Sequence, residues 1–438
     1  MSNNNSNNKF QSDLTPEELA AKYVMTSYAD EELAAPDCEG CSSSCNTEKS
    51  STSKPPSFLS MLGPQSAEAP QNRPFAKTGG YGRSREFYSG NDHYEREMDM
   101  IFNRHWLPVE HVSRLKERGA FVTLKFDKIH VLLMRGDNGI KAYHNYCTHR
   151  GWCLVEEPSG KREKHLCGYH CWVFDLNGDL NAWNGTYLNP SFDHEKASLR
   201  PIRTEVRHGM VFICFNPNPF DIDESLGDFA KIAKIYDLES LECVDTRDDS
   251  VDCNWKLVMH NINESLHFPA THPYVHKALD YDDAGVYDVK GNIVSSYNRV
   301  RPGVDTASIT RQTNRPPFPG VLEEDKDRVI WVSILPNLMF GFSADYIFMQ
   351  WAWPRSSSTC FVRNHWLFHP IQISQPDFSP DDVVNMWFKT NDEDWEICER
   401  TQRGIELRHW EPGFLSLDEE VVHQIDEWVA AQTAPEQK

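Results

Sequence analysis

The sequence Cys-Thr-His-Arg-Gly at residues 147–151 and the sequence Cys-Gly-Tyr-His at residues 167–170 decide how this chain is interpreted. Each segment offers one thiol and one imidazole, separated by one residue in the first segment and by two in the second. Both groups are good ligands for transition metals. The two segments therefore predict one metal centre that they hold between them, and the pairing of the ligand types indicates which centre it is.

Two kinds of metal centre suit such a set of ligands. Zinc accepts two cysteines and two histidines in a tetrahedron, but a zinc finger usually places Cys beside Cys and His beside His. A Rieske [2Fe–2S] cluster has two cysteines on one iron and two histidines on the other, and it transfers single electrons. Mixed segments, each with one ligand for each iron, favour the cluster. The predicted ligands are Cys147, His149, Cys167 and His170.

Composition indicates a globular protein. The chain has 438 residues, of which 39% are hydrophobic, so it is long enough for two or three domains. Its net charge of −21 argues against nucleic acid as a partner, because phosphate binding needs a basic surface. We find no apolar stretch of membrane-spanning length and no signal-peptide pattern, so we expect no membrane partner and a cytoplasmic location.

The first 75 residues differ in composition from the rest. They are rich in Asn, Ser, Glu and Pro and have few large apolar side chains, so we predict that residues 1–75 are a disordered tail. Cys38, Cys41 and Cys45 lie in this tail. Two interpretations of them stay open, namely a metal or redox site and three exposed thiols in a flexible segment.

The remainder predicts an α+β protein. Residues 76–110 form an N-terminal helical segment that packs on the C-terminal domain. Residues 111–220 contain short alternating runs and turn residues, typical of a small antiparallel β domain with the metal-binding segments at strand ends. Residues 221–438 combine helical and strand patterns, which predicts an antiparallel sheet with helices against it, a helix-grip domain.

A second candidate site lies within residues 254–272. A helical pattern runs from 254 to 267, and on a helix Glu264 and His267 are neighbours at i and i+3. Prolines after His267 break the helix, so that His272 can reach the same ion. Two histidines and one carboxylate form the facial triad of mononuclear non-haem iron(II) oxygenases. Such a histidine pair is often a surface or core feature, but a Rieske centre upstream favours the iron site.

With both patterns present, the sequence resembles the catalytic α subunits of the Rieske-type non-haem iron oxygenases. The resemblance covers roughly residues 87–431 and includes both cluster segments, Asn-Trp-Lys at 254–256, and the spacing Glu-x-x-His-x-x-x-x-His from Glu264. It continues with Leu-Pro-Asn-Leu-Met at 335–339 and Gln-Arg-Gly at 402–404. It implies a Rieske [2Fe–2S] domain followed by a catalytic domain that holds Fe(II).

The resemblance also assigns residues around the two sites. Asp394, which stands at the family's distance before the Gln-Arg-Gly motif, is implied as the third iron ligand, with Asp392 and Glu393 as adjacent alternatives. The chain departs from the family at Cys171, where glycine is usual. Cys153 also lies near the cluster segments, and we predict that both are free thiols in a reducing compartment.

Glu264 is implied as the catalytic bridging carboxylate. In the family this residue joins a Rieske histidine of one subunit, here His170, to an iron-ligand histidine of the next, here His267. The implied assembly is a head-to-tail ring of three subunits, a homotrimer. The alternative for Glu264 is an ordinary solvated helix residue. Many ring dioxygenases have Asp at this position, and Glu resembles the subset that includes carnitine, choline and glycine-betaine oxygenases.

The implied function is an oxygenase that uses O2 and electrons from NAD(P)H through a separate reductase or ferredoxin. The chain has no Gly-x-Gly-x-x-Gly motif after a strand, so the reductase must be another protein. We predict hydroxylation of a small organic substrate by monooxygenation at an N-methyl or aliphatic carbon. Aromatic-ring dihydroxylation is the alternative, and an electron carrier or iron-dependent sensor without turnover is the alternative of another class.

Aromatic and sulfur-containing side chains are candidates for the substrate pocket. Thirteen tryptophans could build a cation–π cage for a quaternary ammonium group, or could equally belong to the core. Six residues are candidate wall residues, although core packing is the favoured role for most: Met259, Phe268, Phe340, Phe342, Met349 and Trp351.

Overall fold

A computed structural model describes residues 80–183 and 191–435 of the chain. The predicted tail at 1–75, with its three cysteines, lies outside the described residues. Two helices open the described part, and a π-helical turn over Met98–Phe102 extends the second one. They are α1 (Arg85–Ser89) and α2 (Asn91–Glu97). Helical structure before the β domain therefore runs from Arg85 to Phe102.

The β domain that follows is antiparallel, as predicted. The strands of its large sheet are β1 (Leu107–His111), β2 (Ala120–Phe126), β3 (Ile129–Gly136), β4 (Gly139–His144), β5 (Ser159–Lys161), β9 (Pro201–Arg207) and β10 (Met210–Cys214). They lie in the order β1-β10-β9-β4-β3-β2-β5. Since β1 pairs with β10, residues 107–111 belong to this sheet, and the segment 76–110 is helical only in its first part.

A small sheet lies beside the large one and carries the second cluster segment. Its strands pair in the order β6 (His165–Leu166), β7 (Val173–Phe174) and β8 (Leu180–Ala182), and a short helix, α3 (His194–Ala197), follows. Strands β7 and β8 form a hairpin whose turn contains Asn177 and Gly178, with Gly178 at φ +79°. A Cβ atom at Gly178 would lie 2.4 Å from the Tyr143 ring, so this tight turn requires glycine for both its backbone and its packing.

The C-terminal domain is built on a second antiparallel sheet of seven strands. Its strands lie in the order β11 (Glu242–Val251), β17 (Thr359–Phe368), β16 (Ile347–Ser356), β15 (Leu338–Phe342), β14 (Arg328–Ile334), β13 (Ile293–Val300) and β12 (Leu279–Tyr287). The helices of this domain are α4 (Ile222–Leu226), α5 (Phe229–Ile235), α6 (Trp255–Asn261), α7 (Phe268–Thr271), α8 (Pro273–Ala278), α9 (Pro370–Ile373), α10 (Asp381–Ile405) and α11 (Glu420–Thr433). None of the described helices is long and apolar enough to span a membrane.

Both faces of the second sheet are buried. Because neighbouring residues of a strand point to opposite faces, Phe348 and Met349 of β16 belong to different apolar clusters. The cluster with Met349 continues into the β domain, whereas the cluster with Phe348 lies between the sheet and α10. This second cluster supports the candidate iron site.

The N-terminal helices pack against the C-terminal domain through α10 and α11. A fully buried ion pair between Glu97 of α2 and Lys256 of α6 connects the two parts. The indole N–H of Trp255 donates to the same carboxylate at 2.9 Å. Breaking such a pair leaves a buried charge without a partner, so it fixes α2 on α6 at a defined position.

Candidate metal centres and active site

The two cluster loops have the same backbone pattern. In each loop the cysteine N–H donates to the carbonyl five residues later, at 2.7 Å for Cys147 and 2.8 Å for Cys167. In each loop the cysteine carbonyl accepts from the N–H four residues later, at 2.9 Å and 3.1 Å. Two loops of one shape, side by side at strand ends, can each give equivalent ligands to one binuclear centre.

The four predicted cluster ligands come together in pairs. The thiols of Cys147 and Cys167 are buried against each other, and burial together with the neighbouring thiol raises the pKa of Cys147 to about 11. The rings of His149 and His170 lie 4.5 Å apart, at 77° to each other. The Nδ1 atom of His170 is buried without a hydrogen-bond partner. A thiol pair beside an imidazole pair with an orphaned nitrogen fits a cluster with two sulfur and two nitrogen ligands.

The two loops differ in one residue that their shared shape makes conspicuous. The position four residues after the cysteine has a positive φ in both loops, +76° at Gly151 and +57° at Cys171. A side chain in this left-handed region is strained, so the second loop adopts the conformation at a cost that the first avoids. Cys171 is exposed, Cys153 lies 3.5 Å from the ring of His130, and both are free thiols, as predicted.

The second candidate site differs from its prediction in one element. Helix α6 ends at Asn261 rather than continuing to His267, so Glu264 and His267 lie in a turn between α6 and α7. Asn263 holds this turn, because its amide donates to the carbonyl of Met259 at 2.7 Å and its oxygen accepts from Ser333 at 2.9 Å. The carboxylate of Glu264 nevertheless contacts the ring of His267 within the turn.

His267, His272 and Asp394 converge on one point. Nε2 of His272 lies 2.9 Å, and Nε2 of His267 3.5 Å, from the same oxygen of Asp394. One ligand atom of each residue lies within 4.8 Å of the other two. Asp394 comes from the middle of α10, and Pro269 at the start of α7 turns the chain between the two histidines. The arrangement matches a two-histidine, one-carboxylate metal site.

The neighbours of Asp394 have different partners. Glu393 accepts from Nδ1 of His272 at 2.8 Å, on the side of the ring away from Asp394. Asp392 is exposed and pairs with Arg247. Glu264 takes the corresponding position on Nδ1 of His267. Each imidazole thus contacts one carboxylate at Nδ1, and both present Nε2 to Asp394. The contact between Glu393 and His272 was not predicted from the sequence.

The carboxylates also shape the electrostatics of the triad. Burial lowers the pKa of His267, but Asp394 and Glu264 outweigh burial and raise it to about 10. The pKa of His272 is raised in the same way against burial, by Asp394 and Glu393. Burial raises the pKa of Asp394, but the two imidazoles lower it to about 2. A site that draws protons onto two buried imidazoles favours positive charge, and a divalent cation would replace those protons.

Two family models match separate parts of the chain. The Rieske [2Fe-2S] domain matches residues 105–192, which include both cluster loops. The ring hydroxylating alpha subunit, catalytic domain, matches residues 233–434, which include the whole triad.

The chain belongs to the Rieske oxygenase family.

Membership confirms the predicted enzyme class and cofactors. A Rieske oxygenase uses a [2Fe–2S] cluster, a mononuclear iron and electrons supplied by a reductase. Membership excludes zinc as the metal of the Cys/His loops. It also disfavours an electron carrier or sensor as the function. The α+β architecture, with a Rieske domain before the catalytic domain, is likewise as predicted.

Curated relatives of this Rieske oxygenase are monooxygenase subunits. The glycine betaine monooxygenase oxygenase subunit of Pseudomonas aeruginosa is 28% identical over 356 residues, covering 75% of this chain and 83% of that protein. The carnitine monooxygenase oxygenase subunit of Escherichia coli is 30% identical over 222 residues, covering 49% and 58%. The chloroplastic choline monooxygenase of Atriplex hortensis is 27% identical over 214 residues, covering 47% and 48%.

Solved structures share the fold of this oxygenase. A quaternary ammonium Rieske monooxygenase superimposes with a TM-score of 0.70 at 22% identity, covering 81% of this chain and 96% of that one. Naphthalene 1,2-dioxygenase from Rhodococcus superimposes with a TM-score of 0.66 at 18% identity, covering 81% and 94%.

A cavity of about 200 Å³ opens onto the triad of the oxygenase. Its apolar wall includes Phe268, Val275, Trp331 and Trp387. The two indoles meet edge to face, with ring centroids 5.9 Å apart, and both are 4% exposed. On the far side, the cavity is bounded by the start of α11 and the 3₁₀ turn before it, Leu417–Glu419.

The predicted pocket walls are correct at one position. Phe268 lines the cavity. The other five candidates belong to the core on the opposite side of the second sheet or behind α6, where each is buried: Met259, Phe340, Phe342, Met349 and Trp351. The tryptophans that do line the cavity lie on β14 and α10, and no motif in the sequence distinguishes them from the other eleven.

Proposed function

We propose that this oxygenase hydroxylates an N-methyl or aliphatic carbon of a small quaternary ammonium compound. The observation that carries the proposal is the cavity itself, in which two orthogonal indoles and Phe268 stand beside the triad. Aromatic faces attract a cation that has no N–H to donate, and a quaternary ammonium group is such a cation. The relatives named for glycine betaine, carnitine and choline support the same substrate class.

The residues divide into two metal-binding sets in this proposal. Cys147 and Cys167 hold one iron of the cluster, and His149 and His170 hold the other. The mononuclear iron is held by His267, His272 and Asp394. When bound, the cluster supplies single electrons and the mononuclear iron supplies open coordination positions for O2. One oxygen atom enters the substrate, and the other leaves as water with two electrons and two protons.

Outer carboxylates prepare the two imidazoles for the metal. Glu264 accepts a hydrogen bond from Nδ1–H of His267, and Glu393 accepts one from Nδ1–H of His272, so the proton stays on Nδ1 and each Nε2 is left free for the ion. The apolar wall excludes water from the reacting carbon, and the aromatic rings hold the ammonium group so that this carbon faces the metal.

The active unit in this proposal is a head-to-tail trimer, in which His170 faces Glu264 of the partner subunit. Aromatic residues next to the cluster ligands support a protein contact there. Trp152 and Tyr169 are each 50% exposed and lie 5.8 Å apart, with Arg150 over the Tyr169 ring. Large apolar side chains exposed together indicate a surface that another protein covers.

The test combines metal analysis with turnover. The protein should contain about three irons per chain, with a Rieske-type EPR signal after reduction. With a surrogate reductase, O2 uptake should depend on a quaternary ammonium substrate, and one atom from ¹⁸O2 should enter the product. Uptake with aromatic compounds only, or entry of two labelled atoms, would establish ring dihydroxylation instead.

The bridge is tested separately by Glu264→Gln. At saturating ferrous ion this variant should keep both metals and lose most turnover, about a hundredfold, because a neutral amide holds His267 less firmly and couples it less well to the partner subunit. Light scattering of the same preparation reports the subunit number. Unchanged turnover of a trimer would contradict the bridge, and a stable active monomer would contradict the trimer.

A further inference from the structure

The cavity wall of this oxygenase carries negative charge. Four carboxylates line it: Glu264, Asp394, Asp418 and Glu420. No lysine or arginine occurs among the described residues that line it. The carboxylates outnumber the two positive charges of a ferrous ion, so the interior keeps a negative potential with the metal in place.

The N–H groups of the aromatic wall are already used within the protein. The indole N–H of Trp331 donates to Asn298 at 2.9 Å, and the amide of Asn298 donates to the carbonyl of Asp280 at 3.0 Å. The indole N–H of Trp387 donates to the hydroxyl of Tyr346 at 3.0 Å. These side chains offer a ligand their rings rather than hydrogen bonds. A carboxylate placed against these rings would lose its water without gaining a hydrogen bond from them.

Two of the carboxylates have no part in holding the metal. Glu420, the first residue of α11, is 7% exposed, and its Oε1 accepts from Gln424 at 3.1 Å. Asp418 lies in the preceding 3₁₀ turn and is exposed, so it stands where the cavity meets solvent. The cavity lining therefore contains one buried and one exposed carboxylate besides those at the metal site.

From these observations we infer that the substrate is a quaternary ammonium cation without a carboxylate, such as a quaternary ammonium alcohol, and that Glu420 and Asp418 select it. The inference rests on the proposed function. It separates this chain from a betaine or carnitine oxygenase, whose named substrates each carry a carboxylate. Like charge against Glu420 and Asp418 disfavours such zwitterions, whereas a hydroxyl group can donate to either carboxylate.

The experiment compares three ligands on the metal-loaded protein: choline, glycine betaine and L-carnitine. Binding is measured by calorimetry, and turnover by O2 uptake with a surrogate reductase. Choline should bind at least about tenfold more tightly than either zwitterion. A preference for glycine betaine or carnitine would overturn the inference and leave the proposed function standing, whereas no uptake with any of the three would contradict the proposed function.

Variants assign the selection to the two residues. Glu420→Gln should weaken choline binding about tenfold and leave the cluster and iron content unchanged. Asp418→Arg should shift the ratio of turnover towards glycine betaine. Glu427→Gln, the same change on the outer face of α11, is the matched control. It should alter neither choline binding nor the ratio of turnover. If Glu420→Gln and Asp418→Arg leave ligand preference unchanged while metal content is retained, the assignment is wrong.

Discussion

The two metal centres of this oxygenase are assembled in opposite ways. The cluster loops lie within residues 147–170, repeat one backbone hydrogen-bond pattern, and end strands of a small β domain. In the triad, His272 contacts Asp394, which is 122 residues further along the chain. His272 lies between the short helices α7 and α8, and Asp394 lies on the long helix α10. The cluster thus depends on local loop geometry, whereas the iron site depends on packing between distant elements and on the outer carboxylates that orient each imidazole.

The largest effect should follow from removing a cluster ligand. Cys147→Ser should abolish turnover and the Rieske EPR signal, because serine does not replace a thiolate in a buried cluster. It should also destabilise the β domain, whose small apolar core includes Cys147 and Cys167. Cys214→Ser, at a buried cysteine of β10 in the same domain, is the control and should keep the EPR signal. A retained signal in Cys147→Ser would remove this ligand from the assignment.

Removing a triad ligand should be as damaging to turnover but confined to one centre. Asp394→Ala should lose the mononuclear iron and turnover while the cluster signal stays at full intensity, because the two sites share no ligand. Iron content should fall from about three to about two per chain. Asp392→Ala, one residue away and exposed, should behave as the wild type in both measurements. Loss of the cluster signal in Asp394→Ala would show that the centres are not independent.

A smaller effect should follow from loosening an imidazole without removing a ligand. Glu393→Gln should weaken iron binding about tenfold to a hundredfold, because a neutral amide accepts the hydrogen bond from Nδ1–H of His272 more weakly than the carboxylate does. Chelator competition measures this affinity. Glu396→Gln, an exposed carboxylate on the same helix, is the control. Equal affinity in both variants would limit Glu393 to a structural contact.

The smallest effect tests the likeness of the two cluster loops. Cys171→Gly should stabilise the β domain by about 1 kcal/mol, because glycine adopts a positive φ without strain. The reverse change at the equivalent position, Gly151→Ala, should destabilise it by a similar amount. Thermal unfolding followed by the visible absorbance of the cluster reports both. A destabilising effect of Cys171→Gly, or no effect of Gly151→Ala, would show that the loops do not share one backbone requirement.

The two metal centres also differ in how far the sequence predicts them. The cluster loops could be predicted because their ligands lie close together in the sequence. The strands around them show the usual alternation of apolar and polar residues. For the iron site, the sequence predicted the types of ligand but not the local backbone structure that carries them. Helix α6 stops at Asn261 because Asn263 and Ser333 hold the next turn, and that contact joins residues 70 positions apart. Nothing in the local pattern indicates it.

The pocket was least predictable, for a related reason. Because both faces of the second sheet are buried, an apolar residue on β16 such as Met349 looks the same in sequence as its neighbour Phe348. Only the register of the sheet decides which face packs towards α10 and the cavity. Strand β11 is equally hard to recognise from the sequence, because its run of charged and half-buried residues lacks the alternation that is typical of strands.

The position of Leu417–Val421 at the cavity has a consequence for how such enzymes diversify. The segment that bounds the cavity follows Asp394, the last of the proposed metal ligands, along the chain. Substitutions in this segment can alter which ligand binds without changing the residues that would hold the cluster and the iron. Grafting this segment from one oxygenase onto another is therefore a direct route to new substrate ranges.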